Sequence, residues 1–402
     1  MSLASIMDAD VRGKRLLVRA DLNVPVEDGK VTDATRIQRF ADGMKPLLER
    51  GARLVILTHF GRPKAGEEDP TFSVGKLRSV LSEALGTMVW FSDSCTGPSA
   101  VALSGQVQPG EALLCENLRY NAGETENDMA FARDLAKLGD IYVNDAFSCA
   151  HRAHASTAAL AALLPAYAGP LLMEEIQALQ AALDAPKPPS VAIVGGAKVS
   201  SKIAVLKHLA TRLDHIVIGG GMANTFLFEA GASMGKSLHE ADQIETVREI
   251  RALAYKHGCR IHLPEDVVIA REFAAGAASE TVAATACPDD AMILDAGETA
   301  VSAFMAVLEA CRTILWNGPL GAFEIAPFDK ATVALARKAA ELTRSGKAVS
   351  VAGGGDTVAA LNAAGVTEQF TYVSTAGGAF LEWLEGKTLP GIAALQRAAH
   401  AA

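Results

Sequence analysis

The sequence predicts an α/β protein of two domains, each built on a parallel sheet covered by helices. Three observations predict it. Short β-branched or leucine-rich runs alternate along the whole chain with longer segments of helical period, the pattern of βαβ units. The chain has 402 residues, half of them hydrophobic, which is enough for two ordinary cores. A helical run beginning at Pro170, PLLMEEIQALQAALDAPKPPS, ends in a proline-rich stop between two sets of strands.

In chain order the first set is RLLVRA (15–20), ARLVILT (52–58), TMVWF (87–91), EALLCEN (111–117) and DIYVNDA (140–146). A charge-free stretch from Ala155 to Met173 follows. It has the length of a membrane span, but it is alanine-rich and broken by Pro165, Gly169 and Pro170, so it reads as a domain connection. The second set is SVAIVGG (190–196), HIVIGGG (215–221), IHLPED (261–266), AMILDAG (291–297), RTILWNG (312–318), KAVSVAGGG (347–355) and FTYVSTAGG (370–378). The domain boundary falls near residue 170.

Composition narrows the partners. A formal net charge of −9 argues against a general nucleic-acid binder, so any anion site must be local. The six cysteines include no C-x-x-C pair, which resembles neither a zinc site nor a secreted disulfide framework and fits a reducing cytoplasm. The opening residues MSLASIMDADVRGKR lack the apolar core of a signal peptide.

Ligands of open parallel sheets bind at the carboxyl ends of the strands. In the second half four strands run into glycines: Gly195-Gly196, Gly219-Gly220-Gly221, Gly353-Gly354-Gly355 and Gly377-Gly378. Glycine lets backbone N–H groups approach a ligand, and the helix N-termini beyond favour phosphate, so these turns point to a nucleotide. Lys198 and Lys202, four apart, are expected on one face of an opening helical turn to meet phosphate charge. Asp356 is suited to hold Mg²⁺ on a nucleotide; its plainer role is a helix N-cap.

The first half carries other chemistry at its strand ends: Arg19 to Asn23, His59 to Arg62, Arg119 and His151-Arg152, with Arg36 after the first loop. One arginine is ordinarily a solvated surface residue, but several converging in an acidic protein call for an anion, which the guanidinium fork grips bidentately. The division suggests phosphoryl transfer between a nucleotide and a small anionic metabolite. That chemistry needs alignment, charge neutralisation and Mg²⁺, and a carboxylate acceptor needs no general base. His151 and His154 flank Arg152 without an evident third ligand, so a metal role is not assigned to them.

These motifs resemble those of the phosphoglycerate kinase family over essentially the whole chain. RADLNVP, THFGRP, ENLRY, AHRAH, GGAKVSSKI, GGGMANTF, WNGPLGAFE, GGGDT and STAGGAFLEWLEGK stand in the family's order and approximate spacing. The resemblance implies two Rossmann-like domains joined by a hinge helix: residues 1–170, binding phosphoglycerate, and 171–388, binding nucleotide, with 389–402 packing back onto the first. It implies reversible phosphoryl transfer between 1,3-bisphosphoglycerate and ADP, with Mg²⁺, in a cytoplasmic enzyme expected to be monomeric. Asp21, Asn23, Arg36, His59, Arg62, Arg119 and Arg152 would bind phosphoglycerate. Gly196, Lys198, Lys202, Asn317, Glu324, Gly354, Gly355, Asp356 and Thr357 would serve the nucleotide, Glu324 reaching the ribose hydroxyls and Asp356 the metal. Arg36 and Lys202 would act on the transferring group.

The chain departs from the family pattern at three places. F-G-x-x-H-R reads Phe147-Ser148-Cys149-Ala150-His151-Arg152, S-T-G-G-G-A has Ala376 for its first glycine, and Gly297 is not followed by proline. AGASMGKS (230–237) mimics a phosphate-binding loop, yet it follows the helical TFLFE, not a strand, and reads as a helix stop with Gly231 as its cap. Other readings stay open on residues alone. An acyl-phosphate kinase for another small carboxylate would use similar groups, and a two-domain anion-binding protein would close on one shared ligand. A dinucleotide oxidoreductase would need G-x-G-x-x-G after a strand, which no glycine turn supplies.

Overall fold

The computed structural model describes residues 3–401. The chain divides into two compact units, Met1–Ile176 with Thr388–Ala402, and Gln177–Lys387.

The first unit is built on a parallel sheet of six strands. They are β1 (Arg15–Ala20), β4 (Arg53–Leu57), β5 (Val89–Ser92), β6 (Ala112–Cys115), β7 (Ile141–Asp145) and β8 (Ala166–Ala168), with β2 (Val26–Glu27) and β3 (Lys30–Val31) forming a small antiparallel ribbon after β1. The order across the sheet is β5-β6-β4-β1-β7-β8. β1, β4, β6 and β7 are buried along nearly their whole length, as strands covered on both faces must be, which explains their uninterrupted apolar runs. The chain enters at β1, winds to one edge and returns on β1's other side as β7. The crevice left by that reversal opens at the carboxyl ends of β1 and β7.

The second unit repeats the plan with β9 (Ser190–Val194), β10 (His215–Ile218), β11 (Arg260–His262), β15 (Thr313–Asn317), β16 (Val349–Gly353) and β17 (Tyr372–Ser374), ordered β11-β10-β9-β15-β16-β17. This is the doubly wound order of dinucleotide-binding sheets, and its reversal lies between β9 and β15.

One expected strand belongs elsewhere. AMILDAG reads as a member of the parallel set, but Met292–Ala296 (β14) pairs antiparallel with β12 (Asp266–Ala270), which pairs antiparallel with β13 (Ser279–Ala283). Its apolar run is the same as that of a buried parallel strand, so only the partner distinguishes them.

The connecting segment is an α-helix over Pro170–Leu179 that continues as one π turn, Gln180–Asp184. Asp145 at the end of β7 caps its start, its Oδ1 accepting from the Leu171 and Leu172 N–H at 2.8 and 3.2 Å. The final helix, Pro390–Ala401, packs in the first unit against β8 and the turn Ala159–Ala162, and the Gly391 N–H donates to the Ala150 carbonyl at 2.9 Å. No helix among the described residues is long and apolar enough to cross a membrane.

Candidate active site

In the first unit the charged residues gather where β1 and β7 end. Asp21 is the first residue after β1, and its carboxylate is enclosed by donors. Oδ1 accepts from the Asn23 N–H at 3.2 Å, and Oδ2 accepts from Arg36 Nη1 at 3.0 Å and from Ser148 Oγ at 2.5 Å. Burial alone would raise the Asp21 pKa, but the Arg36 charge, the Ser148 hydroxyl and the Arg19 charge hold it below the usual carboxylate range. Arg36 also donates to the Asn23 carbonyl at 3.1 Å. The Asn23 side-chain oxygen accepts from the Gly61 N–H at 3.0 Å, and Arg119 donates to the Gly61 carbonyl at 2.5 Å. Hydrogen bonds therefore join Asp21, Asn23, Arg36, Arg119 and the loop after β4. Arg62 and Arg152 are exposed beside them; Arg62 makes no hydrogen bond or ion pair within the described chain, while Arg152 Nε donates to His151 Nε2 at 3.1 Å.

Beneath this layer lies a residue the sequence misplaces. Arg19 reads as a strand-end cation, but it sits inside β1 and is only 1 % exposed. Its guanidinium donates to Ser156 Oγ (2.9 Å), His59 Nδ1 (3.0 Å), Cys149 Sγ (3.4 Å) and the Ala20 carbonyl. Ser156 in turn donates to the buried Glu124, by Oγ at 2.6 Å and by its N–H at 3.0 Å. A buried cation needs such compensation. No local sequence signal links Arg19 with Glu124.

This contact decides the state of His59. Guanidinium can only donate, so Nδ1 accepts and the ring proton resides on Nε2. Burial and then the charge of Arg19 push the His59 pKa down to about 2, so the ring is neutral. Asp21, His59 and Cys149 place one metal-ligating atom each within 4.8 Å of one another. The Arg19 guanidinium already contacts two of those atoms, and Arg119 and Arg152 add further positive charge around His59. The grouping therefore suits an anion and repels a metal ion.

In the second unit a cavity of about 400 Å³ opens at the strand-order reversal, lined by Gly196, Gly219 to Gly221, Pro319 to Ala322, Glu324 and Asp356. Its phosphate-suited end is formed by the turns after β9, β15 and β16. Lys202 stands at the start of the helix Ile203–Ala210, its Nζ donating to the carbonyls of Gly195 and Asn317 at 2.7 and 3.0 Å, behind the cavity's own lining. Burial lowers its pKa to about 8, with Asp356 acting in the opposite sense. Asn317 Nδ2 donates to the Gly353 carbonyl at 2.8 Å, and Thr357 Oγ1, itself buried, accepts from the Gly318 N–H at 2.7 Å. These two residues tie β15 to β16. Gly354, at φ +99°, precedes the helix Gly355–Ala364, whose first turn carries Asp356.

Two expectations need correction. Lys198 and Lys202 do not share a helix face: a 3₁₀ turn, Val199–Ser201, intervenes, leaving Lys198 exposed before it and Lys202 largely buried after it. Nor do all the glycines serve ligand approach. A Cβ on Gly195 would lie 1.7 Å from the Pro319 carbonyl oxygen, so that glycine lets two strand-end loops cross. At Gly355 nothing lies within 4 Å, and that position faces open space. Ala376, where the family has glycine, sits at φ −86°, a conformation that suits any residue.

Sequence reasoning missed the apolar end of the cavity. Leu238 and Phe273, exposed by 52 % and 59 %, line it with Pro264, Met292 and Leu294. Asp295, pushed up to about 7 by burial, lies in the same wall and accepts from the Ala331 N–H at 3.0 Å. Exposed apolar residues on loops follow no period, so nothing marks them in the sequence. AGASMGKS is the expected stop after the helix Gly220–Glu229, yet its Lys236 does line the cavity.

The donors near Asp356 include no grouping of three acidic, histidine or cysteine ligands; among the described residues that occurs only at Asp21, His59 and Cys149. A single carboxylate beside a phosphate cradle fits Mg²⁺ carried on a nucleotide, which takes few protein ligands.

Comparison with known proteins agrees with this geometry. Residues 6–387 match the family model described as phosphoglycerate kinase. The chain is 57 % identical to a phosphoglycerate kinase of a Ruegeria species over 98 % of this chain and all of that one. It is 56 % identical to one of Methylorubrum extorquens over 96 % of each. The solved phosphoglycerate kinase of Coxiella burnetii superposes with a TM-score of 0.92 at 41 % identity, covering 99 % of this chain and all of that one. That of Pyrococcus horikoshii gives 0.80 at 29 % over the same shares. With two parallel sheets, a cationic cluster at one reversal and a glycine-lined cavity at the other, the chain belongs to the phosphoglycerate kinase family.

Proposed function

We infer that the chain transfers a phosphoryl group reversibly between 1,3-bisphosphoglycerate and ADP, giving 3-phosphoglycerate and ATP. The observation that carries the assignment of its sites is the cluster in the first unit. There four arginines, Arg19, Arg36, Arg119 and Arg152, gather about a neutral His59 and the Asp21 carboxylate, with Glu124 buried beneath to offset them, in a protein whose net charge is negative.

Arg62, Arg119 and Arg152 would grip the phosphate of phosphoglycerate, and His59 would donate from Nε2. Asp21 and Asn23 would orient the hydroxyl and carboxylate end. The acceptor carboxylate is already a nucleophile, so the site needs no base, and His59, neutral with its Nδ1 engaged, supplies none. Arg36 and Lys202 would neutralise the charge that builds on the moving phosphoryl group.

On the nucleotide side, Gly196 and the N-terminus of the helix at Gly354-Gly355 would present N–H groups to the phosphates. Glu324 would accept from the ribose hydroxyls, Asn317 and Thr357 would hold the turns that frame the phosphates, and Lys198 would add charge from the rim. Mg²⁺, held by Asp356, would screen the nucleotide's phosphates. One chain carries both sets of residues, which supports a monomer as the acting unit. Six free, buried cysteines support a reducing, cytoplasmic setting.

The test is to mix the protein with MgATP and 3-phosphoglycerate, trap acyl phosphate with hydroxylamine, and run acetate in parallel. Signal with 3-phosphoglycerate alone is the expected outcome. Signal with acetate instead would move the assignment to another acyl-phosphate kinase.

A further inference from the structure

Ser148 stands where the family pattern has glycine, so its hydroxyl is an addition to the cluster. It donates to Asp21 Oδ2 at 2.5 Å, the same oxygen that accepts Arg36 Nη1 at 3.0 Å. An ionised carboxylate has about two acceptor directions per oxygen. Ser148 and Arg36 together fill those of Oδ2, and the Asn23 N–H takes one on Oδ1. The Asp21 side chain is only 14 % exposed.

Arg36 has two employments in the reading above, on which this inference rests. Here its guanidinium is paired with Asp21, whereas the transferring phosphoryl group needs it as a counter-charge. Moving it away leaves Asp21 as a poorly solvated anion, and that penalty adds to the barrier. A donor that stays on Oδ2 reduces the penalty, and it also weakens the Arg36 pair by sharing the oxygen. We propose that Ser148 is a positioning residue that keeps Asp21 satisfied when Arg36 turns to the transferring group.

The effect belongs in kcat more than in KM. Ser148 stabilises Asp21 while Arg36 is paired with it, and stabilises it more once Arg36 has left, so its removal costs more in the transition state than in the ground state. Only the gain in this hydrogen bond between the two states enters kcat, a fraction of a bond to a charged group, which corresponds to about a three- to tenfold change.

The experiment measures kcat and KM for 3-phosphoglycerate and for MgATP in the wild-type protein, S148G, S148A, S148T and R36K, with thermal melts as the folding control. Expected is a three- to tenfold lower kcat in S148G and S148A, with both KM values within about twofold and recovery in S148T. In the R36K background the S148A step should shrink, because lysine cannot make the same forked exchange. An unchanged kcat in S148G and S148A, or a loss confined to the KM for 3-phosphoglycerate, overturns the proposal. A wild-type protein that does not phosphorylate 3-phosphoglycerate overturns the functional reading itself, so the two failures are distinct.

Discussion

Lys202 gives the sharpest test of the nucleotide site, because burial has set its pKa at about 8, well below the usual 10.5. At about 1.4 kcal/mol per unit, that displacement means the fold bears about 3 kcal/mol for holding this ammonium charged. The sign follows from proton counts. Below pH 8 both folded and unfolded chains carry the proton, and the penalty is present in full. Between about pH 8 and 10.5 the folded chain has lost it while the unfolded chain keeps it, so this group's contribution to stability rises with pH. Nucleotide binding has the opposite dependence, since phosphates attract only the charged form. Affinity for MgATP, which carries the transferring phosphoryl group, should therefore fall about tenfold between about pH 7 and pH 9, a range in which the nucleotide's phosphates are largely ionised. Lys202→Arg keeps its charge and should lose this limb while retaining a measurable affinity. Titration calorimetry across the range reads both proteins. A flat wild-type profile, or an identical limb in the arginine variant, would refute the assignment of Lys202 as the phosphate cation.

Two further outcomes follow from the geometry. Gly195→Ala should destabilise the second unit by about 3 kcal/mol or more, because its Cβ meets the Pro319 carbonyl at 1.7 Å, whereas Gly355→Ala should leave the urea midpoint almost unchanged and raise the KM for nucleotide; equal midpoints for the two would contradict the distinction between a loop-crossing glycine and a ligand-facing one. Nitrogen NMR of the wild-type protein should find the His59 proton on Nε2 with Nδ1 bare and no titration between about pH 5 and 9, and Arg19→Lys should disturb that tautomer; an ordinary titration near about pH 6.5 would exclude Arg19 as the group that sets it.

The parallel strands were legible because burial on both faces writes a continuous apolar run, and the glycines and charges that follow mark their carboxyl ends. β13 has no such mark: Ser279–Ala283 is exposed along almost its whole length and is a strand only because β12 offers it an edge. β8, three residues of Ala-Tyr-Ala, is fixed by its pairing with β7. In both cases the partner makes the strand, and the partner is not local in sequence.

The same physics governs the site. Asp21, Asn23 and His59 stand just past a strand, where position along the chain is enough to turn a residue toward the crevice, whereas Arg36 joins them from the first turn of the helix Thr35–Glu49 and Arg119 from the turn Leu118–Tyr120. Which of them are charged, neutral or free to move depends on contacts across long sequence separations. Glu124 and Ser156 stabilise the Arg19 charge, Arg19 sets the His59 proton, and Ser148 meets Asp21 across the reversal between β1 and β7. A cationic cluster in an acidic protein is therefore sustained from below by a buried carboxylate, Glu124, which never faces the ligand. Removing that carboxylate would alter the anion site without touching any group that binds the anion.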